Sequence, residues 1–299
     1  MKQIETIAII GAGFLGTQIA ARAAVHGTTV RMYDITPAAV SKAGDDVKRL
    51  VGEYEYFGML KDGAAETLGR ISIDTDLRKS VGGAELVIES VPENLDLKKK
   101  VFAELDGLLP PGALLATNSS SIPVSRLEGS LAHPERVLNI HFYGPVSKNN
   151  FADIQAGTRT SPEAVQRARD WIDRIGCVAL MVKKECMGFV FNRVWHAVKR
   201  ECLASWAGGH ADFKDLDRAW MIWSGMITGP FAMMDYVGLD VVYDIEMQYY
   251  HDSGDPRDRP PDMLKEKTAR GELGLKTGTG FYDWKDPEFL KPEFTKKRA

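Results

Sequence analysis

The chain contains 299 residues, and its 38 basic side chains nearly balance its 41 acidic ones. This balance provides no overall field that would favour nucleic acid or an anionic membrane as a partner. Its three cysteines, Cys177, Cys186 and Cys202, show no paired spacing, which favours a reducing compartment over a disulfide-stapled secreted fold. We therefore expect a cytoplasmic globular protein without a metal site. Since no long uninterrupted apolar run occurs, we also expect no transmembrane helix.

The N-terminal segment predicts a strand, a glycine-rich turn and a helix. Residues 4–10 are mostly aliphatic, as in a buried parallel strand, and the motif "GAGFLG" follows directly. An alanine-rich helix is expected over residues 14–26, ending at Gly27, a residue suited to a left-handed helix cap.

The three glycines of this motif have separate expected roles in binding a dinucleotide. Gly11 permits the tight turn, Gly13 lets a pyrophosphate approach the backbone, and Gly16 lets the helix pack closely on the strand. The first helical residues, Phe14 and Leu15, lie where helix N-terminal N–H groups bind phosphate. The alternative is a tight turn that binds no ligand.

An acidic residue ends the second predicted strand, over residues 29–33. Asp34 is placed to accept hydrogen bonds from the ribose hydroxyls of an adenosine and to repel a 2′-phosphate. Ile35 and Thr36 follow it instead of an arginine. Arg31 belongs to the opposite face of the strand, because side chains alternate. NAD is therefore favoured over NADP.

The predicted secondary structure of the remaining chain changes at about residue 185. Before it, strand-like and helix-like segments alternate, which predicts a doubly wound parallel α/β sheet. The strands are expected over residues 71–74, 85–91, 113–117, 137–142, 151–155 and 177–182, with helices over 95–109 and 162–175. After it, helices are expected over residues 189–207, 212–223, 230–250 and 262–269. We predict a cofactor domain over residues 1–184 and a smaller all-helical domain over residues 185–299.

Polar residues lie just past three predicted strand ends, where ligands of such sheets bind. They are Glu93, Ser120 and His141. A lone histidine at a strand end is often a satisfied core residue, but Asp153 lies on the next short strand, which can bring its carboxylate to the imidazole. A carboxylate on one ring nitrogen stabilises the imidazolium. The other nitrogen can then accept the proton of an alcohol, as NAD-dependent oxidation requires.

Several long motifs resemble the L-3-hydroxyacyl-CoA dehydrogenase family nearly from end to end. They are "IAIIGAGFLGTQIA", "ELVIESVPENLDLK", "ATNSSSI", "LNIHFYGP", "GFVFNR", "GPFAMMDYVGLD" and "GLKTGTGFYDW". The resemblance implies a Rossmann-type NAD-binding domain followed by a helical substrate and dimerisation domain. It also implies oxidation of a 3-hydroxyacyl group to a 3-oxoacyl group, a place in fatty acid metabolism, and a homodimer held through the C-terminal helices.

The resemblance implies a catalytic role for four residues of this chain. His141 matches the general base, and Asp153 falls where the family usually has the glutamate that partners it. Ser120 matches a serine that contacts the substrate and lies near the nicotinamide. Asn192 matches an asparagine that holds the reacting oxygen of the substrate. A structural alternative exists for Ser120, which could cap the helix after Pro123. Asn192 is expected in mid-helix, where asparagine is a poor helix former.

The resemblance also implies cofactor contacts outside the glycine-rich turn. Glu93 and Lys98 match residues near the nicotinamide ribose, and Lys276 matches a lysine that reaches the cofactor from the second domain. Each has a structural alternative. Glu93 could assist a helix cap, Lys98 could belong to a solvated helix surface, and Lys276 could complete a turn.

Departures from the family pattern concern the substrate side. The family usually reads "HFFNPV", whereas Gly144 replaces the asparagine here. Asp153 is one methylene shorter than glutamate, or about 1.5 Å. The segment "RLVGEYEYFGML" after Lys48 places Leu50 and Phe57 where a serine and a lysine that contact CoA would align.

Three functions therefore stay open. The first is a 3-hydroxyacyl-CoA dehydrogenase, for which Lys48, Arg49 and Lys61 could bind the CoA phosphates. The second is a dehydrogenase of a non-CoA hydroxy acid, such as a sugar acid, a carnitine-like acid or an aromatic carboxylate. That substrate would need one basic residue for its carboxylate. The third is a non-catalytic NAD-binding protein similar to a lens crystallin. For the second function, the candidates for the basic residue that would bind the substrate carboxylate are Lys148, Arg193 and Arg200.

Overall fold

The structure, a computed structural model, describes residues 3–296. Its strands are β1 (Thr6–Ile10), β2 (Thr29–Tyr33), β3 (Ile71–Asp74), β4 (Leu86–Glu89), β5 (Leu114–Thr117), β6 (Val137–Phe142), β7 (Phe151–Ala156) and β8 (Val178–Val182). They form one sheet in the order β3-β2-β1-β4-β5-β6-β7-β8. This order, in which the chain moves outward from β1 in both directions, confirms the doubly wound α/β prediction.

Helices cover both faces of this sheet. They are α1 (Phe14–Val25), α2 (Pro37–Tyr56), α3 (Ala64–Gly69), α4 (Leu77–Val81), α5 (Leu95–Leu108) and α6 (Pro162–Arg174). Ile7 and Ile9 of β1 pack on one face with residues of α1, α2 and α6, whereas Ala8 and Ile10 pack on the other with residues of α4 and α5. Because successive strand side chains point to opposite faces, a nearly continuous apolar strand fills both cores.

The pair β6–β7 departs from the parallel arrangement of the other neighbouring strands. It is antiparallel, and its register sets His141 opposite Asp153. Residues 143–150 connect the two strands. A parallel crossover needs about a dozen residues or more, so this short loop requires β7 to return along β6. The expected approach of Asp153 to His141 is therefore a product of strand register.

The chain divides into two compact units, Met1–Val190 and Phe191–Ala299, a boundary somewhat later than the expected one between residues 184 and 185. The second unit contains α7 (Phe191–Ala207), α8 (Phe213–Ser224), α9 (Pro230–Val237), α10 (Leu239–Ser253) and α11 (Asp262–Ala269). The single helix expected over residues 230–250 is wrong. It is two helices, separated at Gly238, whose φ of +105° breaks the helix. None of the helices among residues 3–296 is long and apolar enough to cross a bilayer.

Two fully buried carboxylates hold the loops of the second unit. Asp235 accepts hydrogen bonds from the backbone N–H groups of Phe281 (2.8 Å) and Tyr282 (2.9 Å) and from Trp284 Nε1 (3.0 Å). Asp217 accepts from two backbone N–H groups at the start of α9 and from the Tyr282 hydroxyl (3.0 Å). Burial raises the pKa of Asp217 to about 6. The motifs "GPFAMMDYVGLD" and "GLKTGTGFYDW" therefore meet at one clamp, centred on Asp235.

The Asp235 clamp gives a stability prediction. The substitution Asp235→Ala leaves two buried backbone N–H groups and the half-buried Trp284 Nε1 without their acceptor, and each unsatisfied buried group costs about 1–3 kcal/mol. We expect the free energy of unfolding, measured by urea denaturation, to fall by at least about 2 kcal/mol. The matched control is Asp283→Ala, an exposed aspartate of the segment that Asp235 binds, which should change stability by less than about 0.5 kcal/mol. Equal midpoints for the two variants would contradict the clamp.

Candidate active site

The turn between β1 and α1 is an open backbone cradle. Gly13 caps α1 with extended backbone, without a side-chain hydrogen bond from the described residues, and a Cβ built on it meets nothing within 4 Å. A Cβ on Gly16 would collide with the Gly11 carbonyl oxygen, and Gly11 itself has a φ of +104°. Because helix N-terminal N–H groups favour phosphate, the turn fits the pyrophosphate of NAD.

The first residues of α1 explain one departure from the family pattern. Phe14 is 71% exposed. A Cβ built on Gly144 would lie 2.9 Å from Phe14 Cε1 and 3.3 Å from Leu15 Cδ2. A side chain at position 144 would therefore require the Phe14 ring to move, whereas glycine leaves the ring in place.

Asp34 joins the end of β2 to the glycine-rich turn. Its Oδ2 accepts a hydrogen bond from Ala12 N (2.9 Å), and its Oδ1 accepts from Ile35 N (2.8 Å). Each carboxylate oxygen can accept a further bond, so ribose hydroxyls fit beside the amides. Arg31 donates to the Gly82 carbonyl. It is thus engaged away from the position where a 2′-phosphate would lie.

Glu93 and Lys98 form a cluster beyond the end of β4. The Lys98 side chain is 1% exposed, and its ammonium contacts Glu89 Oε1 (2.6 Å) and Glu93 Oε2 (3.3 Å). Glu93 also accepts bonds from the hydroxyls of Ser119 and Ser121. Burial opposes ionisation of Glu93, but Lys98 and these hydroxyls outweigh it and hold the pKa of Glu93 below its usual value. The solvated-surface alternative for Lys98 is therefore wrong.

The serines after β5 have different surroundings. Ser119 is buried, and its hydroxyl accepts the backbone N–H of Ile122 (2.8 Å). Ser120 is exposed. The short turn after Pro123 has no side-chain cap among the described residues, so the capping alternative for Ser120 is wrong. An exposed hydroxyl at a strand end stays suited to contact a substrate.

His141 lies near the end of β6 in an aromatic surrounding. It is 5% exposed, and its ring is 4.4 Å from the Tyr143 ring and 5.1 Å from the Phe189 ring. Its Nδ1 has no hydrogen-bond partner among residues 3–296. Burial lowers the pKa of His141 to about 4, against the opposing charge of Glu93. The imidazole is neutral at pH 7 and can accept a proton.

Asp153 is fully buried on β7, opposite His141. Its Oδ2 accepts a hydrogen bond from the Tyr143 hydroxyl, whereas its Oδ1 has no such partner in the described part of the chain. Burial raises the pKa of Asp153, opposed by Tyr143 and by the Val190 backbone. The structure thus brings the two predicted residues together without a direct hydrogen bond between them.

The two remaining predicted site residues belong to the second unit. Asn192 lies in the first turn of α7, so the expected mid-helix position is wrong and its poor helix propensity carries little weight there. The Lys276 ammonium contacts Asp240 Oδ2 at 2.5 Å. Their proposed contacts with substrate and cofactor stay predictions.

Several residues around the site were missed by sequence reasoning. They are Glu89, Ser119, Ser121, Tyr143 and Phe189. A signal did exist for the burial of Lys98, because Lys98, Phe102 and Leu105 follow the i, i+4, i+7 spacing of one helix face. Tyr143 carried no comparable signal, since its hydroxyl bond depends on the β6–β7 register.

Comparison with known proteins assigns both units to related families. Residues 6–186 match the family described as "3-hydroxyacyl-CoA dehydrogenase, NAD binding domain". Residues 188–284 match the one described as "3-hydroxyacyl-CoA dehydrogenase, C-terminal domain".

Individual relatives differ in the substrate that their names state. The 5-formyl-3-hydroxy-2-methylpyridine 4-carboxylate 5-dehydrogenase of Mesorhizobium japonicum is 34% identical over 282 residues, which cover 93% of this chain and 90% of the relative. The probable 3-hydroxybutyryl-CoA dehydrogenase of Bacillus subtilis is 32% identical over 285 residues, which cover 95% of this chain and 99% of the relative. A solved diketoreductase structure is 35% identical, with a TM-score of 0.86, covering 94% of this chain and 99% of the other.

The contacts of Asp34 give a test of cofactor choice. We expect Asp34→Ala to reduce the ratio of kcat/KM for NAD to that for NADP by at least about tenfold, because a charged acceptor contributes about 1.5–3 kcal/mol. Steady-state kinetics with both cofactors measure this ratio. Arg31→Ala serves as the control, since Arg31 contacts Gly82, and should leave the ratio unchanged. A ratio that persists in Asp34→Ala would count against the assignment.

Proposed function

The chain belongs to the 3-hydroxyacyl-CoA dehydrogenase family, and we propose that it oxidises a 3-hydroxyacyl-CoA to the 3-oxoacyl product with His141 as general base. The members of this family are NAD-dependent dehydrogenases that act on a CH–OH group, and the chain is such an enzyme. This assignment leaves the non-catalytic, crystallin-like alternative without support.

The observation that carries the proposal is the neutral, buried imidazole of His141 opposite Asp153. Its low pKa keeps the ring unprotonated at pH 7, so that a ring nitrogen is free to accept the proton of the substrate hydroxyl. Asp153 stabilises the imidazolium that results. Ser120 and Asn192 hold the reacting oxygen. NAD, when bound, supplies the hydride acceptor for the same carbon.

The cofactor contacts are proposed for a further set of residues. The glycine-rich turn, with Phe14 and Leu15, receives the pyrophosphate, and Asp34 binds the adenosine ribose. Lys98 keeps Glu93 ionised, which supports Glu93 as an acceptor for the hydroxyls of the nicotinamide ribose. Lys276 is proposed as a cofactor contact on the family resemblance alone.

A non-CoA hydroxy acid is the second candidate substrate, and the charges on α2 favour it. Arg49 contacts Glu53 (2.5 Å) and Asp46, and Lys48 contacts Asp45 (3.8 Å). These acids on the same helix neutralise basic groups that a CoA phosphate would need. The name of the relative from Mesorhizobium japonicum also states a pyridine carboxylate.

The assembly and setting of the enzyme are part of the proposal. The second unit carries highly exposed apolar side chains, among them Trp223 (83%) and Ile227 (78%). Large exposed apolar surfaces are typical of protein interfaces, which supports a homodimer formed through the C-terminal helices. A cytoplasmic location is proposed because the three cysteines are free thiols, and a role in fatty acid metabolism is proposed from the family resemblance.

The role of His141 gives the central test. We expect His141→Gln to lower kcat for alcohol oxidation by at least about 100-fold, because general-base catalysis contributes 10²–10⁴. NAD binding, followed by fluorescence titration, should be unchanged. In the native enzyme kcat/KM should stay level from pH 7 to pH 5 and fall towards the pKa of about 4, since protonation removes the base.

The control for this test is His133→Gln, a histidine whose side chain is 56% exposed, and its activity should match that of the native enzyme. Full activity of His141→Gln would remove the mechanism. An acid limb centred near 6.5 would show that the imidazole is not in the buried, neutral state.

A substrate panel separates the two candidates. With NAD and purified enzyme, 3-hydroxybutyryl-CoA should give a kcat/KM at least about tenfold above that of free 3-hydroxybutyrate, because binding energy from the distant CoA group lowers the barrier. The panel should also include a hydroxylated pyridine carboxylate. A free acid that reacts faster than the thioester would replace the first candidate with the second.

A further inference from the structure

Tyr143 connects the two partners of the proposed catalytic pair. Its hydroxyl donates a hydrogen bond to Asp153 Oδ2. The edge of its ring lies against His141, with centroids 4.4 Å apart and planes at 78°. The ring also packs on Phe151 at the start of β7, with centroids 4.8 Å apart. One side chain thus contacts both strands of the antiparallel pair.

This link through Tyr143 matters because the short Asp153 side chain makes no direct hydrogen bond to His141. His141 Nδ1 and Asp153 Oδ1 are both buried without a hydrogen-bond partner among the described residues. Opposed residues of an antiparallel pair have Cβ atoms about 4.5–5.5 Å apart. A glutamate in place of Asp153 would extend about 1.5 Å further towards the ring. The shorter aspartate needs another group to fix its direction.

The hydroxyl also bears on the charge of Asp153. This carboxyl is fully buried, and burial favours its neutral form, whereas the bond from Tyr143, first, and the Val190 backbone, second, favour the carboxylate. A neutral Asp153 would not stabilise an imidazolium. The acid that also faces His141 is Glu93, from the loop after β4, and it is engaged by Lys98 and the two serines.

We propose that Tyr143 is a positioning residue of this enzyme: its hydroxyl holds Asp153 ionised and turned towards His141, and so replaces the reach of the missing methylene. The inference rests on the proposed function, in which His141 is the base. Tyr143 itself acts through Asp153 and does not touch the reacting atoms. Tyr143 and Asp153 together thus take the role that a glutamate at position 153 would have alone.

The test is a double-mutant cycle built on Tyr143→Phe. In the native background this change should lower kcat about 10–100-fold while KM for NAD stays within about twofold, because only the charge-assisted bond is lost. In this variant the acid limb of the kcat profile should report protonation of Asp153 and move to higher pH, since a carboxyl that loses a donor has a higher pKa. In an Asp153→Glu background, Tyr143→Phe should change kcat by less than about threefold.

Controls separate this inference from the proposed function. Tyr54→Phe removes another buried hydroxyl of the same unit and should leave kcat and the pH profile unchanged. If His141→Gln is inactive while Tyr143→Phe keeps native kcat and an unmoved acid limb, the role of Tyr143 is overturned and the base remains. If Tyr143→Phe does not bind NAD, Asp153→Glu is compared with the double variant that also carries Tyr143→Phe. A kcat ratio near one between these two variants supports the positioning role, and a loss of kcat of tenfold or more in the double variant overturns it.

Discussion

The antiparallel pairing of β6 with β7 is the constraint on which the proposed chemistry depends. It sets His141 and Asp153 at facing positions, inside a sheet that buries both. Burial makes the imidazole neutral, and it would also neutralise the carboxylate without a hydrogen-bond donor. The same low-dielectric surroundings therefore keep His141 unprotonated and disfavour a charge on Asp153. A hydroxyl such as that of Tyr143 is then needed to keep Asp153 ionised.

The cofactor side depends on a different constraint, the close approach of backbone to backbone. Gly11 and Gly16 leave no room for a side chain, whereas Gly13 faces open space. Asp34 ties this turn to the end of β2 through Ala12, and Phe14 occupies the volume that Gly144 leaves. The cradle and the loop after β6 thus lie next to each other at Phe14 and Gly144.

Much of the fold could be predicted from the sequence because its signals are local. Apolar runs such as residues 137–142 and a glycine after a helix, as at Gly27, identify elements from a few neighbouring residues. The break at Gly238 was missed because a helix can contain a glycine, and only the φ of +105° ends it there. His141 and Asp153 were found as a pair. The bond of the Tyr143 hydroxyl to Asp153 and the bond of Ser119 to Glu93 were not, since each depends on how different segments of the chain meet. The burial of Lys98 had a local signal in its helix spacing, which was not used.

The two sequence motifs that most strongly identify the C-terminal family meet at Asp235, which binds the backbone of the "GFYDW" segment through hydrogen bonds. The hydrogen bonds of Asp235 have a structural role in this unit, because they hold a loop against its core. We expect other residues to contact the reacting group of a substrate. A part that only stabilises the second unit leaves the choice of substrate to the residues of the pocket. The names of two relatives, one with a CoA thioester and one with a pyridine carboxylate, agree with this separation of roles.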